Sequence, residues 1–267
     1  MTKINVHPKR LKWIAKRMLF TIVGIVFFMV VVAAVRLKQQ LIVESDDVHI
    51  EIINNTQNHL FIRVKDVEDI IFSNFSHVIV GQPLEAIDFQ AIEQKLEENV
   101  FIKNAEIYIN ALNQVFITVE QREPIIRVMS KSEPSFYIDD EANKVSVSKQ
   151  YTARVPVLTG YVPVFNKTLI NDHSVVWSRL FEMIQKLHND LFWRSMVEQV
   201  HISKKGDVTL IPKVGEHQVV LGNLTLDLAE RLDRLKLFYR EGILIDGWRK
   251  YRTFDMTFDD QIVAIKN

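Results

Sequence analysis

The side chains best equipped for metal or acid–base chemistry in this sequence are eight histidines: His7, His49, His59, His77, His173, His188, His201 and His217. A metal centre needs several such ligands close together, and no HExxH or comparable short spacing joins any two of them. They read as solvated or structural histidines. The acid pairs Asp139-Asp140 and Asp259-Asp260 fall in predicted turns, where short carboxylates bond their own backbone. A carboxylate pair assembled in space from distant positions stays open as an alternative. Cysteine is absent, which removes disulfide frameworks, thiolate zinc sites and cysteine nucleophiles together. Glycine is scarce, 8 of 267 residues, and there is no GxGxxG, Walker or GxSxG motif. No catalytic residue, cofactor or metal is expected.

Lys plus Arg equals Asp plus Glu at 33 each, which argues against a strongly basic nucleic-acid binder. That balance conceals a separation. Residues 1–17 carry six cations and no acid, residues 18–35 carry no charge, and residues 37–267 carry 26 cations against all 33 acids.

The uncharged run MLFTIVGIVFFMVVVAAV spans roughly 27 Å as a helix, close to the thickness of a bilayer core. In lipid the backbone must satisfy itself, so the many β-branched residues do not prevent a helix. Lys16 and Arg17 at one end and Arg36 at the other can snorkel to the headgroups. The run exceeds a typical signal-peptide core and no clean A-x-A site follows it, so an uncleaved anchor is expected. The basic flank places the N-terminus in the cytoplasm. The expected divisions are a cytoplasmic tail at 1–17, a transmembrane helix at 18–36 and a linker at 37–46.

Beyond the linker, Val48, Ile50 and Ile52 alternate with His49, Glu51 and Ile53, a strand pattern. A turn cluster at 54–58 follows, then a short extended piece at Leu60 to Ile62. Asp66 is expected to cap a helix carrying Val67, Ile70 and Ile71, and Asp88 a second carrying Phe89, Ile92, Leu96 and Val100. Ile107 and Ile109, a turn at 110–113, and Val115, Ile117 and Val119 form a hairpin that ends at Pro124. The order strand, helix, helix, strand, strand makes one compact α+β unit, residues 47–124.

Residues 125–267 read as a second, strand-rich domain with two helices. Strands are expected at 125–129, 136–138, 145–147, 155–160, 197–203, 207–211, 216–221, 253–258 and 261–265. The helices are expected from Asp172 to Asn189 and through Leu224, Leu228, Leu232, Leu235 and Tyr239. Leu191-Phe192-Trp193 reads as core, and Gly247-Trp248-Arg249-Lys250-Tyr251 as a solvated edge with a packed tryptophan.

Several stretches together resemble the FtsQ (DivIB) cell-division family in its Bacteroidetes-like form. Val100-Phe101-Ile102-Lys103-Asn104-Ala105-Glu106 through Arg122-Glu123-Pro124 is similar to the exit of the family's POTRA domain and its R-x-P junction. Tyr137-Ile138-Asp139-Asp140, the run from Tyr151 to Gly160 and Val220-Leu221-Gly222 resemble its β domain. Asp260-Gln261-Ile262-Val263-Ala264-Ile265-Lys266 resembles its terminal strand.

The resemblance implies a non-enzymatic scaffold in the inner membrane, with its body in the periplasm at the division septum. It implies partners that are FtsB/DivIC-like and FtsL-like coiled-coil proteins and other division proteins, alongside membrane lipid and no nucleic acid. The partner strand would add to a C-terminal edge made of Thr253, Phe254, Met256, Phe258, Asp260, Ile262, Val263, Ala264 and Lys266. Arg122 and Pro124 would form the POTRA–β junction. Phe258 stands where proteobacterial members carry tyrosine, and Lys266 where they carry a terminal tryptophan. An anchored periplasmic cell-wall hydrolase or transferase is the alternative. A transport barrel would need many more alternating segments.

Overall fold

The computed structural model of the chain describes residues 8–39, 43, 47–53, 61–75, 79–131, 133–170, 176–242, 248–258 and 261–267. The turn expected at 54–58, the pair Asp259-Asp260, Gly247 and the helix start at 172–175 lie outside the described residues.

Helix α1 runs Pro8–Gln39. Its stretch Arg17–Ala34 is long and apolar enough to cross a membrane, and none of it is buried against protein. Phe20, Phe27 and Phe28 stand open, an arrangement costly in water and favourable among acyl chains. Thr21 Oγ1 donates to the Met18 carbonyl at 2.8 Å, so its hydroxyl is satisfied within the helix. The helix fits a single-pass membrane anchor. The Arg17 guanidinium lies over the Trp13 ring at 3.9 Å, a cation–π pair at one end of the span.

The chain divides into two compact units. The first takes residues 1–51, 64–96 and 105–118, and the second takes 52–63, 97–104 and 119–267. The POTRA-like elements follow in the expected order: β1 (Val48–Ile53), α2 (Val64–Asn74), α3 (Phe89–Glu97), β2 (Ile102–Ile109) and β3 (Val115–Gln121). The sheet order is β1-β3-β2, which puts the last strand in the centre. Val115 and Ile117 of β3 are buried with Val67, Ile71, Ile92 and Leu96 from the helices, the one-sided burial that the alternating pattern demands.

Asp88 caps α3 as expected, accepting from the Ala91 N–H at 3.0 Å. Asp66 does not cap α2. The helix starts two residues earlier, so Asp66 lies in its first turn, where a negative charge complements the helix dipole. Phe61 and Ile62 bend rather than extend, although both are buried. The β2–β3 turn is organised by Asn110, whose Oδ1 accepts from the N–H groups of Leu112 (2.9 Å) and Gln114 (3.0 Å). Asn113 there takes φ 64°, which asparagine tolerates better than most residues.

The second unit is built on a nine-stranded sheet: β4 (Pro124–Ser130), β5 (Phe136–Asp139), β6 (Lys144–Ser146), β7 (Val157–Gly160), β8 (Val197–Ile202), β9 (Asp207–Pro212), β10 (Gln218–Asn223), β11 (Tyr251–Asp255) and β12 (Val263–Lys266). The order is β12-β11-β10-β9-β8-β7-β4-β5-β6. Three neighbour pairs are parallel, β4 with β7, β7 with β8, and β10 with β11. Parallel neighbours need a crossover. Helices α4 (Val176–Asn189) and α5 (Leu191–Met196) lie between β7 and β8, and α6 (Leu228–Leu237) between β10 and β11.

The core joins Trp177, Leu180, Ile184 and Leu187 of α4 and Leu228, Leu232 and Leu235 of α6 to the inward residues of the sheet. Lys186 of α4 spans the two helices, donating to the Ala229 carbonyl at 2.9 Å and to Asp233 at 2.5 Å. The segment Leu191-Phe192-Trp193, expected as core, opens helix α5. Asp190 caps it by accepting from the Phe192 N–H at 3.0 Å, and within it Trp193 is buried while Leu191 is exposed. Helix α6 begins later than Leu224, because Asp227 caps it by accepting from the Glu230 N–H. It ends in a wider turn, Phe238–Gly242, that keeps Tyr239 in the core.

Candidate functional site

Strand β12 stands at the end of the large sheet. One side pairs antiparallel with β11, with Thr253 opposite Ile265, Phe254 opposite Ala264 and Asp255 opposite Val263. Among the described residues its other side has no strand neighbour. All four residues of β12 are exposed, and Val263 and Ile265 show 37% and 38% of their surface. An unpaired strand edge carrying open β-branched side chains is a template for a further strand.

The residues of the expected edge therefore play different parts. Phe254 and Met256 are fully buried and Thr253 nearly so. They hold β11 to the core and present no side chain to a docking strand. Val263, Ala264 and Lys266 are on the open strand itself. Phe258 lies beyond the end of β11 and is 49% exposed. Ile262 precedes β12 and packs partly against the core. Asp260 lies outside the described residues.

The edge is held from behind by Arg231, a buried cation on the apolar face of α6. Its guanidinium donates to the Leu221 carbonyl at 3.1 Å and to the Met256 carbonyl, and so fixes the ends of β10 and β11. Met256 N–H donates in turn to the Val220 carbonyl at 2.8 Å. Asp255 Oδ1 then accepts from Thr257 N–H (2.9 Å) and Oγ1 (2.7 Å), which turns the chain away from β11. Gly222 takes φ +119° beside this anchor, and a Cβ there would fall 2.9 Å from Leu226. Arg231 escaped sequence reasoning, although an arginine between Leu228 and Leu232 on a helix's apolar face is the signal that could have found it.

An open groove of about 420 Å³ adjoins Ile262, lined also by Leu237, Phe238 and Gly242 with Arg234 and Glu241 at its rim. Just before β10, His217 is buried and its Nε2 lies 2.6 Å from the Tyr239 hydroxyl. Burial pushes the imidazole below its ordinary range and the phenol well above its own.

At the expected junction, Arg122 Nη1 donates to Asp139 Oδ2 at 2.8 Å. Pro124 opens β4 and is buried, so its missing N–H costs no ladder bond in a strand interior. Of the membrane flanks, Lys16, Arg17 and Arg36 all belong to α1. Arg17 is exposed, and the side chains of Lys16 and Arg36 lie outside the described ones. Among the described residues no group of three or more His, Asp or Glu side chains could hold a metal ion.

Two family models match the sequence. One, described as FtsQ/DivIB, C-terminal related, covers residues 123–265. The other, described as a POTRA-like domain, covers residues 44–120. No curated protein matches.

Proposed function

The chain belongs to the FtsQ/DivIB family of cell-division proteins, and from this we propose that it is a bitopic scaffold that bridges early and late components of the division machinery. The N-terminal tail lies in the cytoplasm, by the positive-inside rule applied to the six cations of residues 1–17. Residues 18–36 cross the inner membrane, 37–46 link, 47–124 form the POTRA-like domain and 125–267 the β domain. The POTRA-like domain serves recruitment to the septum.

The observation that carries the proposal is the open side of β12, with Val263 and Ile265 exposed on it. A strand of a small coiled-coil division protein, FtsB/DivIC-like and acting with an FtsL-like one, adds there. Main-chain bonds supply affinity in such additions and alternate side chains supply selectivity. The chain itself performs no catalysis in this role.

Combining Phe258→Ala with Ile262→Pro tests the assignment. The full-length variant should lose co-purification with the coiled-coil partner while its exterior part still melts cooperatively. Undiminished capture would sink the interface. Hydrolysis of peptidoglycan by the purified protein would instead favour an anchored cell-wall enzyme.

A further inference from the structure

A recess of about 310 Å³ opens in the second unit, far along the sheet from β12. Its walls are Phe61, the β3–β4 connection, the segment 151–156 and the corner where α4 meets α5. The floor is apolar, with Pro124, Ile125, Val155, Pro156 and Leu187. That volume is at the lower end for ligand sites, enough for one or two side chains of a peptide.

The rim is charged. Arg122 is committed to Asp139. Arg154 and Arg194 are exposed, and neither makes an ion pair with any described residue. Guanidinium groups are suited to carboxylates because their paired donors match the two oxygens. His188 lies beside them half-buried, and burial keeps its imidazole below the ordinary range against the opposing pull of Glu123. Glu123 also stands on this rim and would repel a bare anion, whereas a peptide presents N–H groups to it. The backbone of Ala153, Arg154 and Val155 belongs to no strand, so it is outside every ladder of the sheet.

We propose that this recess binds an extended acidic segment of a partner protein. Arg154 and Arg194 hold the segment's carboxylate, a neighbouring apolar side chain sits on the Pro124–Leu187 floor, and Ala153 to Val155 pair with its backbone. The site is separate from the β12 edge, so two partners, or two segments of one, can be held together.

The test selects a displayed random heptapeptide library on the full-length chain in detergent micelles. Selected peptides should be enriched in Asp and Glu next to an aliphatic residue. Exchanging the acid for its amide should weaken a selected peptide about tenfold, the effect of one charge-assisted pair. Arg154→Ala with Arg194→Ala should weaken it at least as much, while Lys204→Ala with Lys205→Ala, removing two exposed cations in the β8–β9 turn, should leave it unchanged. Should the arginine variant melt early, the acid-to-amide exchange carries the same test on the unaltered protein. Failure to select any binder, peptides without acidic enrichment, or equal binding to both lysine and arginine variants overturns the proposal.

Discussion

Arg122 holds Asp139 in a buried ion pair, Nη1 to Oδ2 at 2.8 Å, and thereby ties the end of β3 to the turn after β5. The carboxylate is fully enclosed and completely used. Oδ1 accepts from the N–H groups of Glu141 (3.0 Å) and Asn143 (2.6 Å), and Oδ2 also accepts from Asn143 Nδ2 at 2.9 Å. Removing one partner of such a pair strands the other. Asp139→Ala should therefore destabilise the chain by about 3–5 kcal/mol, and Arg122→Ala by less, because the guanidinium keeps some contact with water. Urea titrations of both single variants and the double variant would measure the coupling. A cost under about 1 kcal/mol for Asp139→Ala would show the pair to be structurally idle.

Arg231 performs a related task on backbone carbonyls. Its guanidinium is buried and gives hydrogen bonds to the Leu221 and Met256 carbonyls. Arg231→Ala should cost about 2–4 kcal/mol, since it frees two buried carbonyls and removes a packed side chain. It should also weaken partner capture, because β11 is the strand on which β12 rests. Thermal melting and co-purification of the same preparation would separate the two effects. Capture that survives a large loss of stability would show that the edge does not depend on this anchor.

The β-pattern was the most legible part of the chain. Val48, Ile50 and Ile52, then Val115, Ile117 and Val119, and in the second unit β6 and β9, alternate in the way that one-sided burial requires. Parallel pairing of β4 with β7 and of β10 with β11 was not legible, because it joins strands separated by whole elements and leaves no local signal. Helix α5 is too short for periodicity to register. Within the C-terminal edge, the family resemblance placed Phe254 and Val263 alike. Only the order of strands distinguishes them, by putting β11 inside and β12 outside. Arg122 was singled out by family resemblance, yet its partner Asp139 read as a turn residue, which it also is. One carboxylate with two duties shows a single signal in a sequence.

His217 links protonation to folding. Burial lowers its pKa from an ordinary value of 6.5. Facing it are the Tyr239 hydroxyl and the Phe254 ring, and Glu216 and Arg252 line the same recess. In the unfolded chain the imidazole takes up its proton as pH drops below about 6.5. The folded chain takes it up only at lower pH. Between those points the unfolded state holds more protons, so stability falls as pH falls. His217→Gln, which can still bond Tyr239, should flatten that slope between pH 7.5 and 5.5. Parallel melting curves for the wild type and the variant would check it, and equal slopes would remove His217 as the source.

The final contrast separates core from docking surface on two adjacent strands. Phe254 of β11 is fully buried amid Phe238, Tyr239 and Tyr251, with ring centroids 5.1 to 6.4 Å away. Phe254→Ala should cost about 3–5 kcal/mol through lost burial and an unfilled cavity. Val263 and Ile265 of β12 are exposed on an edge, so Val263→Lys and Ile265→Lys should each change stability by no more than about 0.5 kcal/mol. Edge lysines are a natural device against strand addition, because pairing must bring a charge against the incoming chain. The two lysine variants together should therefore reduce partner capture at least tenfold while the melting temperature stays close to that of the wild type. If instead they unfold the domain as Phe254→Ala does, β12 is core rather than edge. If they leave both stability and capture intact, the partner strand docks elsewhere. Only the dissociation of the two readouts fits a strand that the fold leaves open for a partner.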